Sequence, residues 1–206
     1  MDFKSVVNNN DSMKKIIPVP YISQFSKEFD EEWHYSACGI ACVAMLLGYY
    51  NLEDINPMRL VDEGVAIGGY KGYGWFHESL ARLLRNHGVN AYAQEFRSVE
   101  ISSDYKTFST NPLESKLVEK GVEKIIREID AGHPVMASVD ENFNTNLEKH
   151  IILIIGYDFS NGQEKFIVHD SRGLNHLGVH EAFEAMPVDI AKFVKFWRKF
   201  AIFSYL

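Results

Sequence analysis

The chain has 206 residues, of which 46% are hydrophobic and 24% charged, so it can bury one sizeable core and has the composition of a folded globular protein. Its formal net charge of -7 argues against a nucleic-acid or anionic-membrane partner, because phosphates attract basic surfaces. No apolar run is long enough for a transmembrane helix or a signal-peptide core, so the chain as written is expected to be cytoplasmic, or secreted if a signal peptide has been removed.

The N-terminal residues 1–15 are polar, rich in asparagine and aperiodic. This composition predicts a flexible arm over 1–15, followed by a single domain over 16–206. The segment IIPVPYISQ at 16–24 is predicted to be extended, because each proline fixes its own φ and disfavours helical backbone just before it.

Both cysteines lie in the segment SACGIACVAMLLGYYN. Apolar residues at helical spacing predict a buried helix from Cys38 to Tyr50, with Ser36 as N-cap and Gly48 near its end. Two cysteines four residues apart are neither a disulfide framework nor, by themselves, a zinc site. The N–H groups and dipole of a first helical turn stabilise a thiolate, so Cys38 meets one requirement of a reactive thiol, whereas Cys42 is predicted to be buried packing. Position alone does not distinguish Cys38 from another packed cysteine.

Two more helices are predicted in the middle of the chain. One is amphipathic, with Leu80, Leu83 and Leu84, and ends at Gly88; the other covers about 115–131 and ends at Gly132. The glycine-rich loop AIGGYKGYGWF before the first of them lacks the Gly-Lys-Ser/Thr ending of a phosphate-binding loop. Its aromatic residues are expected to serve core packing or to form a cleft wall.

The later part of the chain is rich in predicted strands: PVMASVD, HIILIIGYD, KFIVHD and KFAIFSYL, with an Asn161-Gly162 hairpin turn between the second and third. Helices therefore come first and strands later, which favours an α+β domain. With the turn centred on this pair, antiparallel pairing places Asp170 opposite a residue near Leu153, a few positions from His150. A carboxylate there could orient the imidazole.

Two other residues near this hairpin are poorer candidates. Asp158 is eight residues from His150 along one strand, which corresponds to roughly 26 Å. His169 should point to the opposite face from Asp170 and is predicted to be structural.

The segments VPYISQ, CGIACVAMLLGYYN, AGHPVMASV, KHIILIIGYD and FIVHDSRG, with a late FVKFW, together resemble the C39-like cysteine peptidases of the papain-like superfamily, from about Pro18 to the end of the chain. The resemblance implies a papain-like α+β fold, with the nucleophile helix packed on a C-terminal antiparallel sheet. It further implies that Cys38 is the nucleophile, His150 the general base and acid, Asp170 the orienting residue and Gln24 the side-chain donor of the oxyanion hole.

The resulting prediction is a cysteine peptidase that hydrolyses a peptide or amide bond through an acyl-enzyme and requires no cofactor. Two alternatives remain open: an amidase or acyltransferase that uses the same residues, and an inactive peptide-binding module. No metal site is predicted, because the His176 and His180 pair has Gly178 between its members and no accompanying glutamate. The other histidines, at positions 34, 77, 87 and 133, are predicted to lie at the surface or in loops, and the oligomeric state stays open.

Overall fold

The structure is a computed structural model that describes residues 3, 13–51, 56–72, 74–98, 112–140, 143, 149–172 and 183–206. In these ranges the chain forms, in order, β1 (Lys14–Ile16), α1 (Cys38–Tyr49), α2 (Pro57–Ala66), α3 (His77–Asn86), β2 (Asn90–Glu95), α4 (Pro112–Asp130), β3 (Val135–Asp140), β4 (Lys149–Asp158), β5 (Lys165–Asp170), β6 (Phe183–Asp189), α5 (Ile190–Phe196) and β7 (Trp197–Tyr205).

The strands form one sheet in the order β2-β7-β3-β4-β5-β6, and their pairings are antiparallel. The short β1 pairs with the far end of β4, beyond the part of β4 that pairs with β3. The last strand along the chain, β7, thus lies inside the sheet between β2 and β3. This mixture of helices and an antiparallel sheet is the predicted α+β architecture.

Helix α1 lies at the centre of the core. Its residues from Gly39 to Leu47 are all buried, as expected for a helix that is apolar on every side. It packs against β4 and against α2 and α3, while α3 packs on β2 and β7 and α4 packs on β3, β4 and β7. The N-terminus of α1 is thereby held against the beginning of β4.

The predicted helices are confirmed as α1, α3 and α4, although α4 begins at Pro112, ahead of the predicted start. Gly88 and Gly132 follow their helices with φ of +84° and +87°, the left-handed conformation typical of helix ends. The prediction that Ser36 is the N-cap of α1 is wrong. Consecutive turns lead into α1, Ala37 precedes it without a side-chain cap, and the Ser36 hydroxyl instead donates to the Trp33 carbonyl.

The structure places part of the predicted arm in the sheet. Lys14 and Lys15 belong to β1, and Phe3 is buried with its N–H donating to Glu164. Gly156 permits this close approach, since a Cβ there would lie 2.3 Å from the backbone oxygen of Lys15. The other residues ahead of Met13 lie outside the described ranges.

None of the helices in the described ranges has the length and apolar character needed to cross a membrane.

Candidate active site

Cys38 is the first residue of α1 and is half-buried at the edge of a cleft. The first N–H groups of an α-helix have no partner inside the helix, so they and the helix dipole favour a negative charge at this point. The neighbouring side chain of His150 acts on this thiol and lowers its pKa. The helix therefore presents its sulfur to a base.

His150 is the second residue of β4 and is buried, with 2% of its surface exposed. Its Nε2–H donates to Oδ1 of Asp170 at 2.6 Å, which leaves Nδ1 for the thiol. Asp170, the last residue of β5, is equally buried, and its Oδ1 also accepts from the N–H of Arg172. The structure thus brings Cys38, His150 and Asp170 together, with a hydrogen bond between His150 and Asp170.

A β-bulge in β4 determines which face of the sheet carries Asp170. Gly156 pairs with Ile167, whereas Leu153 pairs with His169, so Ile155 is an extra residue on β4. Residues directly opposite each other on two paired strands point to the same face of the sheet. A shift of the pairing by one residue turns the side chains beyond it to the other face. The bulge therefore brings Asp170 opposite Ile152, which shares the face of His150.

The turn predicted a partner near Leu153 for Asp170, and Ile152 is one residue from it. The connection contains a short 3-10 turn over Ser160–Gly162, and continuous pairing from it would place Asp170 opposite Leu153 on the wrong face. The prediction that Asp170 lies close to His150 nevertheless agrees with the structure.

Cys38, His150 and Asp170 shift the pKa values of one another. Burial alone would lower the pKa of His150, but the charge and hydrogen bond of Asp170 and the contact with Cys38 raise it to about 10. Burial likewise raises the pKa of Cys38, but the hydrogen bond and charge of His150 and the backbone groups of Ile151 and Gly39 bring it below its ordinary value. The geometry thus favours a thiolate next to an imidazolium.

Gln24 is buried next to Ser171, the residue that follows Asp170. Its side-chain Oε1 accepts from the Ser171 hydroxyl at 3.0 Å, and its backbone N–H donates to the Ser171 carbonyl at 2.9 Å. Its Nε2 donates to the carbonyl of His34, four residues before Cys38. An amide nitrogen carries two hydrogens, so this bond uses one of them. Gln24 therefore connects the end of β5 to the turn that leads into α1.

The residues predicted to be structural have the expected partners. Cys42 is fully buried, its pKa is raised well above the ordinary value by burial, and its sulfur donates to the Ile151 carbonyl. His169 lies on the opposite face, where it accepts from the N–H of Ala185 and donates to the Val19 carbonyl. Asp158 forms an ion pair with Lys14 at the far end of β4.

The cleft beside Cys38 has a volume of about 380 Å³. Part of its wall is aromatic: Tyr35, Trp75, Phe76 and Phe200. Trp75 also donates from Nε1 to the Ser36 carbonyl at 2.7 Å, which ties the glycine-rich loop to the turn before Cys38. This loop therefore forms a cleft wall, one of the two roles expected for it.

Other histidines have other surroundings. His77 begins α3 and stacks on Phe200 with ring centroids 4.4 Å apart, while His87 and His133 contact Glu63 and Glu128. His176 and His180 lie outside the described residues. Within those residues no group of histidine, cysteine and carboxylate side chains has the arrangement of a metal site.

Comparison with known proteins identifies the family. The sequence model described as the Peptidase_C39 like family matches residues 16–202. The chain belongs to this family. No curated relative matches it significantly.

Three solved structures show the same fold as this C39-like chain. A Bacillus anthracis protein described as a C39-like peptidase is 18% identical with a TM-score of 0.60, and the match covers 95% of this chain and 98% of that one. A double glycine motif protease from an AMS/PCAT transporter, in complex with its leader peptide, is 16% identical with a TM-score of 0.51 over 93% and 95%. Digestive procathepsin L 3 of Tenebrio molitor is 15% identical with a TM-score of 0.52 over 98% and 73%. The fold is papain-like, and family and fold together point to a cysteine peptidase.

Sequence reasoning missed the charged lining of the cleft. Lys71, Arg97, Lys149 and Arg198 line it together with Glu95. Lys149 adjoins His150 in the sequence, a signal that could have been used, but the two arginines come from segments that only the sheet brings together. The helix α2 was also missed, although its signals are plain: Asn56 caps it and Pro57 is its first residue.

Proposed function

We propose that this protein is a cysteine peptidase that hydrolyses a peptide or related amide bond through Cys38, His150 and Asp170. The observation that carries the proposal is the buried hydrogen bond between His150 and Asp170 next to Cys38, which begins α1 at the edge of a cleft. A lowered thiol pKa, an adjacent base and a group that orients this base are what nucleophilic catalysis by cysteine requires.

In the first step the Cys38 thiolate attacks the carbonyl carbon of the scissile amide, and a C–S bond forms. The negative charge moves to the carbonyl oxygen, where the Cys38 N–H at the start of α1 and the Gln24 amide are the proposed donors. The intermediate then collapses, the C–N bond breaks, and the His150 imidazolium gives its proton to the departing amine. An acyl-enzyme and the first product result.

In the second step a water molecule attacks the thioester while His150 accepts one of its protons. Collapse of the second intermediate breaks the C–S bond, releases the carboxylic acid and restores the Cys38 and His150 pair. Asp170 holds the imidazole by its Nε2–H in both steps and stabilises the cation. No step in this scheme uses a cofactor.

A peptide substrate is supported by the family and by the related double glycine motif protease, which was solved in complex with a leader peptide. The same three residues could also pass the acyl group to an amine instead of water, since they activate the acyl group without choosing its acceptor. The same three residues could also be present in a protein that binds peptides without cleaving them.

The test is a product analysis by mass spectrometry after incubation with a mixed peptide set, with and without a small primary amine. We expect hydrolysed peptides as the main products, and we expect Cys38→Ser to form none. Amide products that replace the acids would favour an acyltransferase. Absence of any product, together with thiol alkylation that follows an ordinary pKa of ~8.5 and ignores His150→Ala, would favour the binding module.

A further inference from the structure

The floor of the cleft beside Cys38 is formed by neighbouring strands of the sheet. Ser138 on β3 pairs with Ile151 on β4 and with Phe200 on β7, and all three residues line the cleft. Residues directly opposite each other on paired strands point to the same face of the sheet. Ser138 is therefore a polar residue between two apolar ones on this floor.

The hydroxyl of Ser138 has no protein partner although the residue is buried. Only 4% of its surface is exposed, and within the described ranges its Oγ forms no hydrogen bond. The Oγ of Ser98 is also unbonded there but is sealed from solvent, whereas that of Ser138 opens to the cleft that the residue lines. Buried polar groups in native proteins are normally hydrogen-bonded. The Ser138 hydroxyl is therefore available to a ligand in the cleft.

His77 supplies a second polar group beside this floor. It lines the cleft and stacks on Phe200, with ring centroids 4.4 Å apart and ring planes 6° apart. Stacking covers a face of the imidazole and leaves its edge, which carries both nitrogens. Neither nitrogen is hydrogen-bonded within the part of the chain that the structure describes. Burial and the charges of Arg198 and Lys149 lower the pKa of His77 to about 4, so at pH 7 one nitrogen can donate and the other accept.

Cys38 connects the floor with the proposed catalytic residues. It lines the cleft, and the side chain of His150 and the backbone of Ile151 both act on its thiol. A substrate whose scissile carbonyl carbon lies at this sulfur is therefore within reach of both. Because His150 gives its proton to the departing amine in the proposed scheme, the amine side of the substrate lies towards His150. The acyl side can then enter the cleft.

From this arrangement we infer that the cleft floor selects a carboxamide side chain, asparagine or glutamine, on the acyl side of the scissile bond. The inference deepens the proposed function and rests on it. The carboxamide oxygen can accept from the Ser138 hydroxyl, and its NH₂ can donate to the accepting nitrogen of His77. The apolar part of the side chain packs against Ile151 and Phe200. Ser138 and His77 are the proposed specificity-determining residues.

Other side chains match these two groups less well. An aliphatic side chain would displace water from the Ser138 hydroxyl and the His77 nitrogens without replacing its hydrogen bonds. A carboxylate could accept from Ser138 but has no hydrogen to donate to His77. The arrangement therefore favours a carboxamide over an apolar or acidic side chain of the same shape.

The experiment uses peptide chloromethyl ketones, which alkylate Cys38 without any hydrolysis. The thiolate displaces chloride, and a C–S bond forms. Two series, acetyl-Xaa-Ala and acetyl-Ala-Xaa chloromethyl ketone, vary the two acyl-side positions next to the reacting carbon. In each series Xaa is asparagine, leucine or aspartate, or the longer set of glutamine, methionine and glutamate. Mass spectrometry of Cys38 gives the rates, and the readout is the ratio of the carboxamide rate to the matched apolar rate.

We expect this ratio to be about fivefold or more in one of the two series, from one or two hydrogen bonds. Ser138→Ala should reduce it about two- to tenfold, and so should His77→Phe, which keeps an aromatic ring on Phe200. Ser98→Ala is the matched control, because it removes an unbonded buried hydroxyl outside the cleft lining, and it should leave the ratio unchanged. A general loss of thiol reactivity in a variant cancels in the ratio.

Three results would overturn the inference: equal rates for the carboxamide and apolar reagents in both series, a faster reaction of the carboxylate reagents, or a ratio that neither variant changes. If Ser138→Ala does not fold, the ratios of the parent protein and of His77→Phe decide. The proposed function is tested separately by hydrolysis of the peptide set. Hydrolysis without a carboxamide preference of the reagents keeps the peptidase and rejects the selectivity, whereas a preference without hydrolysis keeps the binding site and rejects the peptidase.

Discussion

Replacement of Asp170 by asparagine keeps the size of the side chain and removes its charge. In the intact protein the pKa of His150 rises from 6.5 to about 10, because Asp170 and, to a smaller extent, Cys38 outweigh the effect of burial. Since one pKa unit corresponds to about 1.4 kcal/mol, this rise in pKa corresponds to at most roughly 5 kcal/mol in favour of the imidazolium. Without the carboxylate, only the contact with Cys38 opposes the effect of burial, so the pKa of His150 should fall and Cys38 should regain its proton.

The assay is the rate of Cys38 alkylation by iodoacetamide between pH 5 and pH 9. At pH 6 a free thiol with a pKa of ~8.5 is only about 0.3% thiolate, so the intact protein should react far faster than a small thiol at that pH. For Asp170→Asn we expect at least about a tenfold loss of rate at pH 6 and a midpoint moved towards or beyond ~8.5. Cys42 is fully buried and should not contribute.

The matched control is Asp158→Asn, at the far end of β4, where the carboxylate contacts Lys14 and Ser160. It should leave the alkylation profile of Cys38 unchanged. An unaltered profile in Asp170→Asn, with far-UV circular dichroism showing an intact fold, would refute the reasoning about the charge of this group. The same conclusion would follow if Asp158→Asn caused an equal loss.

Three further predictions concern single side chains. Gln24→Ala should lower kcat about 10²- to 10³-fold as an oxyanion donor is lost, while the pH profile of thiol alkylation stays in place; a kcat within a few-fold of the parent contradicts the role. The pKa of His77 is lowered to about 4, chiefly by burial, so its contribution to stability is complete above pH 6.5 and is lost as the pH falls towards 4, by up to about 3 kcal/mol. In urea titrations, the free energy of unfolding of His77→Phe should therefore fall less between pH 7 and pH 4 than that of the parent protein. An equal fall in both proteins would exclude protonation of His77 as the cause. Gly156→Ala would place a Cβ 2.3 Å from the Lys15 oxygen and should cost about 2–4 kcal/mol in the same titrations, whereas Gly74→Ala, with open space around it, should have little effect.

Much of the fold could be predicted because its signals are local. Apolar residues at helical spacing identified α1, α3 and α4, and a glycine follows each of the last two. The proximity of His150 and Asp170 followed from two strands joined by a short turn. These inferences need only the geometry of one helix or one hairpin.

The remainder depends on contacts between distant segments. The extra residue Ile155 looks like any other member of an apolar run, and only the pairing with β5 reveals it as a bulge. The charge of the cleft likewise combines Lys71, Arg97 and Arg198 from three separate segments. Neither feature has a pattern within one stretch of sequence.

The position of β7 has a consequence for how the protein is made. This strand follows the rest of the domain along the chain, yet it separates β2 from β3 in the sheet. During synthesis Cys38, His150 and Asp170 leave the ribosome before β7, while the sheet still has a gap between its two parts. Completion of the sheet, and with it the cleft wall formed by Arg198 and Phe200, must wait for the last segment. Such an order of assembly would leave the Cys38 thiol without a finished cleft until the domain has been fully translated.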